Sequence, residues 1–111
     1  MSKKYKITFS IHGNLQSELR EKTIKDGYGL RGKSTWVSEA VIKLLEYKDF
    51  QNLVIYSDEM SGFDKMETIV IDLFLKTKLD EAVTSVRKQC PNIEGVKSRI
   101  IRTAIMQRIL R

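Results

Sequence analysis

Near the start of the chain, Lys4, Lys6, Thr8 and Ser10 alternate with Tyr5, Ile7, Phe9 and Ile11. A strand with that period of two presents two ammonium groups and two hydroxyls on one face, and four large apolar groups on the other. Such a polar row donates hydrogen bonds to an acceptor-rich or anionic surface. Lys33-Ser34-Thr35 and Lys97-Ser98-Arg99 each stand at the head of an apolar helical run. There the free backbone N–H groups and the positive end of the helix dipole, joined by a cationic side chain, suit an anion. The remaining reactive types lack company. His12 is the single histidine, with no serine, cysteine or carboxylate partner in view, and reads as a surface residue. Cys90, the single cysteine, precedes Pro91 with no base nearby, cannot close an intramolecular disulfide, and joins no Cys/His zinc pattern. Gly27-x-Gly29-x-x-Gly32 has the spacing of a dinucleotide fingerprint but follows a helical pattern where that motif needs a strand. The expectation is a protein that is not an enzyme and uses no metal or cofactor.

Charge supports a polyanionic partner. The 111-residue chain carries a formal net charge of +6. Residues 1–50 hold ten basic and six acidic residues, 51–66 one and three, and 67–111 nine and five. Two basic blocks therefore flank a mildly acidic middle. Met1-Ser2-Lys3-Lys4 leads into the alternating segment instead of an apolar run, so a signal peptide is not expected, and no apolar stretch approaches a membrane span. A cytoplasmic protein is the default.

The elements that must position these residues repeat. At a fixed offset of 64, Ile7, Leu15, Lys33, Ser34 and Ala40 fall on Ile71, Leu79, Lys97, Ser98 and Ala104. Trp36, Val37, Val41, Ile42 and Leu45 fall on Ile100, Ile101, Ile105, Met106 and Ile109, and the alignment is read without a gap. Each unit reads as strand, helix, helix. In the first, a strand over Lys4–Ile11 leads to a helix capped by Asn14 and ending near Asp26. The glycine loop 27–32 follows, then a helix capped by Ser34 and running to about Tyr47. In the second, the strand is placed at Ile69–Leu75, the first helix at Lys78 to about Lys88, and a Ser98-capped helix after the 91–96 loop. The divisions are 1–47, 48–66 as connector with a turn at Ser61-Gly62, and 67–111. Leu53-Val54-Ile55 is too apolar for a purely solvated tether; it either packs on the core or forms a self-association surface.

One strand and two helices cannot bury an apolar strand face alone, whereas two such units can pair their strands. The alternating strand, the amphipathic first helix and the glycine loop ahead of a Lys-Ser helix start resemble the ribbon–helix–helix family of MetJ/Arc-type DNA-binding proteins. The resemblance covers about four-fifths of the chain, and the single-chain tandem looks most like TraY-type conjugation accessory proteins. It implies a mostly helical α+β fold: two ribbon–helix–helix units in one chain, with a two-stranded antiparallel ribbon over a four-helix core, an intramolecular pseudo-dimer. It also implies double-stranded DNA as partner, read in the major groove by outward strand residues, for a repressor or a relaxosome-type accessory factor. Further copies side by side on DNA and a relaxase would be additional partners. An antitoxin-like interaction module is the alternative.

Carried over by position, the base-reading residues are Lys6, Thr8 and Ser10, then Val70, Asp72 and Phe74. The phosphate-binding residues are Lys4, Lys33, Ser34, Thr35, Lys97, Ser98 and Arg99. The second strand departs from the pattern because Val70, Asp72 and Phe74 include no cation. With Thr8 opposite Asp72, Lys6 lies near Phe74 and Ser10 near Val70. Asp72 then either accepts from a cytosine amino group, with Val70 or Phe74 on a thymine methyl, or orients Thr8 or Lys6 while Phe74 turns inward. Either arrangement favours a non-palindromic or direct-repeat site.

Overall fold

The alternation at Lys4–Ile11 forms strand β1, with Ile7, Phe9 and Ile11 buried beneath it. In the computed structural model, which describes residues 3–29, 31–57 and 65–110, the order continues as follows. Helix α1 spans Gly13–Lys25, α2 Lys33–Leu45, α3 Phe50–Ile55, strand β2 Lys65–Asp72, α4 Leu73–Gln89 and α5 Val96–Ile109. The fold is mostly helical α+β, and the one sheet among the described residues is the antiparallel pair β1–β2.

Beneath the ribbon, α2 and α5 make the most extensive helix–helix contact. Trp36, Val37, Ala40, Val41 and Leu44 of α2 and Ile100, Ile101, Ala104 and Ile105 of α5 are buried together with Ile69 and Ile71 of β2. α1 adds Leu15 and Leu19; α4 adds Leu75, Leu79, Ala82 and Val86 at helical spacing. Burying each large aliphatic or aromatic group contributes roughly 1.5–3 kcal/mol, so this shared core holds both halves of the chain together. The apolar run of the connector does pack on the core: it forms α3, with Val54 fully buried and Ile55 partly so. The expected turn at Ser61-Gly62 lies outside the described residues.

The second strand differs from expectation. It occupies Lys65–Asp72 in place of Ile69–Leu75, and α4 begins at Leu73, not Lys78. Asp72 decides this. Its Oδ1 accepts the Leu75 backbone N–H at 2.9 Å, capping α4 five residues earlier than expected, so that Leu73–Thr77 are helical. The register follows: Lys4 opposes Asp72, Lys6 opposes Val70, Thr8 opposes Thr68 and Ser10 opposes Met66. The expected pairings of Thr8 with Asp72, Lys6 with Phe74 and Ser10 with Val70 are each displaced by four residues.

The gapless repeat is corrected in the same way. Strands and first helices correspond at an offset of 60, which aligns Thr8, Ile11, Leu15, Leu19 and Glu21 with Thr68, Ile71, Leu75, Leu79 and Glu81. It also aligns the two helix caps, His12 and Asp72. Only beyond the first helices does the offset become 64, because α4 has 17 residues where α1 has 13. The four extra residues are about one helical turn, an insertion that keeps the buried face in phase.

Candidate nucleic-acid interface

The outer face of the ribbon is solvent-facing and short-chained at its centre. Thr8 and Thr68 oppose one another there with their hydroxyls 3.0 Å apart. To one side lie Lys6 opposite Val70 and then Lys4 opposite Asp72; to the other, Ser10 opposite Met66. Lys4, Lys6, Thr8, Met66, Thr68, Val70 and Asp72 are exposed, and Ser10 is half-buried. Ser10 is also held from below: Arg102 of α5 donates through Nη1 to its carbonyl and its hydroxyl, both at 2.9 Å. Burial, and then the Arg99 charge, lowers the pKa of Arg102 from the ordinary arginine value.

Both second helices start against this ribbon. Gly32 and Gly95 occupy the cap positions expected for Ser34 and Ser98, and neither cap uses a side chain. Gly95 is left-handed at φ 62°, a conformation glycine adopts without penalty. The serines, two and three residues past the caps and within the first turn, do something else. Ser34 Oγ accepts the Val70 N–H at 2.9 Å, and Ser98 Oγ accepts the Ser10 N–H at 3.4 Å. Each helix start is thereby fastened to the ribbon, one on either side of the Thr8–Thr68 pair. The expected cap of α1, Asn14, is likewise replaced: His12 Nδ1 accepts the Asn14 N–H at 3.1 Å. The surface histidine is a helix cap.

The cations divide. Lys97 and Thr35 are exposed beside their helix starts. Lys33 instead forms an ion pair with Glu67 of β2, whose carboxylate also accepts from Gln16 Nε2 at 2.8 Å. Arg99 turns toward α3, donating from Nε to the Val54 carbonyl at 2.8 Å and from Nη2 to those of Ile55 and Ser57 at 2.7 and 3.3 Å. It satisfies carbonyls that a helix C-terminus leaves without intrahelical partners. Phe74, expected on the ribbon, sits in the first turn of α4, 62% exposed, with the Lys78 ammonium 5.7 Å from its ring centre.

No protein-family model, curated protein or solved structure matches this chain. Among the described residues, no group of three or more His, Cys, Asp and Glu side chains could hold a metal ion, and no helix is long and apolar enough to cross a membrane.

Four residues of this surface escaped the sequence reading. Met66 and Thr68 belong to the outer ribbon face, Glu67 partners Lys33, and Arg102 anchors Ser10. The first two had a signal: Met66, Thr68 and Val70 alternate with Glu67, Ile69 and Ile71, and the offset of 60 aligns Thr68 with Thr8. Away from the ribbon, the Arg108 guanidinium lies 4.5 Å from the Trp36 ring centre and 5.2 Å from that of Tyr28. It also donates to the Trp36 carbonyl at 2.8 Å. Trp36 Nε1 donates to Asp26 at 2.8 Å. That bond chiefly, helped by the Lys22 and Arg108 charges, holds the Asp26 carboxyl below its ordinary pKa against the opposing effect of burial. Asp26 and Tyr28 are thus tied to α2, the first through Trp36 and the second through a hydrogen bond from its hydroxyl to Glu39.

Proposed function

We propose that this chain is a sequence-specific double-stranded DNA-binding protein made of two ribbon–helix–helix halves in one polypeptide. The observation that carries the reading is the exposed β1–β2 face with a helix start hydrogen-bonded to it on each side, through Ser34 at Val70 and Ser98 at Ser10. A two-stranded ribbon has the width to enter the major groove of B-DNA, where Lys, Thr and Ser side chains meet base edges. The helix starts then lie where the groove walls carry phosphates, and their N–H groups suit those anions. Lys6 and Thr8 serve as base-reading residues, with Thr68 and Val70 opposite. Lys4, Thr35 and Lys97 are the exposed candidates for backbone contact; Ser34 and Ser98 bring their helices within reach.

This chemistry is common to a transcriptional repressor and a relaxosome-type accessory factor, and an autoregulated accessory protein would be both. The interaction-module alternative draws on one feature: Tyr47, Leu53 and Tyr56 are exposed around an open cleft beside α3. Fluorescence anisotropy against a labelled duplex, with salt as the variable, tests the DNA reading. Binding should weaken steeply with salt, with a log–log slope of about −0.9 per phosphate neutralised. A flat salt response, or equal affinity for all duplexes together with no effect of Lys6→Ala, refutes it.

A further inference from the structure

We infer that the DNA element read by this chain is asymmetric: a guanine-bearing half read by a hydrogen-bonding ammonium, and a thymine-bearing half read by apolar contact. The inference rests on the ribbon reading above and specifies its substrate. The two strands are equal in length and Thr8 opposes Thr68, so a local twofold through that pair exchanges Lys6 with Met66 and Ser10 with Val70. Those exchanged side chains differ in kind. On one side of the centre stand Lys6 and Val70, with Lys4 and Asp72 beyond them. On the other stand Met66, 59% exposed, and Ser10, half-buried with its hydroxyl held by Arg102.

In the major groove a lysine donates to guanine O6 and N7, and the apolar feature available to a bare thioether is the thymine 5-methyl. Asp72 does not repeat the lysine's role, because its Oδ1 is committed to capping α4. The Lys6 side therefore discriminates by hydrogen bonding and the Met66 side by methyl contact. The centre, with only threonine hydroxyls, accommodates several base pairs. The same swap removes the counterpart that Lys6 would have in a symmetric ribbon, so a palindrome would leave one half-site without its hydrogen-bond donor.

The test is selection of duplexes from a randomised pool by the full chain, followed by anisotropy on the selected duplex. In that duplex 7-deazaguanine replaces guanine in one half, or deoxyuridine replaces thymine in the other. The expected result is an asymmetric selected sequence. The deazaguanine substitution should weaken wild type about fivefold or more but leave Lys6→Ala unaffected. Removing the thymine methyl should weaken wild type and Lys6→Ala alike, but not Met66→Ala. Lys6 and Met66 are exposed, so both variants are expected to fold, which circular dichroism checks. A palindromic selected site, or losses that do not sort with the two variants, overturns the asymmetry while leaving DNA binding intact. Failure to enrich any duplex, with salt-insensitive residual binding, defeats the ribbon reading itself.

Discussion

Replacing Arg99 with alanine separates the role that the sequence suggests for this residue from the one that the fold gives it. As a phosphate contact, Arg99 would matter to DNA affinity and little to stability. The structure gives its guanidinium three carbonyls at the end of α3, two of them at 2.7 and 2.8 Å. A hydrogen bond from a charged donor contributes about 1.5–3 kcal/mol, and carbonyls that rehydrate on its loss recover part of that. The two short bonds together are thus worth about 2–3 kcal/mol net. A domain of this size shifts its melting temperature by about 4 °C per kcal/mol, so the midpoint should fall by about 8–12 °C in thermal unfolding followed by circular dichroism. Arg99→Lys keeps the charge but not the forked donors, and should recover less than half of the loss. Hydrogen exchange should show the new opening concentrated in α3, where Val54 is the fully buried anchor. A midpoint within about 2 °C of wild type, with DNA affinity down tenfold or more well below that temperature, would refute the capping assignment.

Three other perturbations probe separate parts of the fold. Glu67→Gln releases Lys33 from its ion pair, and the log–log salt slope of DNA binding should steepen by about 0.9 if the freed ammonium meets a phosphate. An unchanged slope places Lys33 away from the backbone. Gly32→Ala sets a methyl group 2.2 Å from the Tyr28 carbonyl oxygen, so the loop must shift. Chemical denaturation should show a loss of about 1–3 kcal/mol. Asp26 has a lowered folded pKa, so its stabilising effect is present above its unfolded value and is lost as pH falls through the folded one. Asp26→Asn should flatten that acid limb of the pH–stability curve, and an unaltered limb would assign it to other carboxylates.

What the sequence made legible were the elements with a single period. Lys4–Ile11 could only be a half-buried strand, and the Trp36 and Ile100 stripes could only be helical, which located β1, α2 and α5 closely. Residues 69–75 were ambiguous, since Ile69-Val70-Ile71 and Leu73-Phe74-Leu75 carry two apolar clusters around one aspartate. Read as alternation they make a strand; read with Asp72 as a cap they make the end of a strand and the start of a helix. The carboxylate bond to the Leu75 N–H settles it, and with it the register and the place of Phe74. The partners of Lys33 and Arg99 were beyond reach for another reason: they are 34 and about 45 residues away in the chain. Residue type announces that a cation is available, whereas only the tertiary fold decides whether a carboxylate or a carbonyl takes it first.

Because β1 and β2 belong to one polypeptide, forming the ribbon is a first-order event. A strand pair shared between two chains falls apart on dilution, and its stability depends on protomer concentration. Covalent connection replaces that dependence with an effective local concentration in the millimolar range. Refolding should therefore run at a rate independent of protein concentration, and the ribbon should persist at a handful of molecules per cell. The same connection frees each strand to change alone, whereas a substitution in a homodimer is imposed on both sides at once. The extra turn of α4, present on one side only, is a change of that kind.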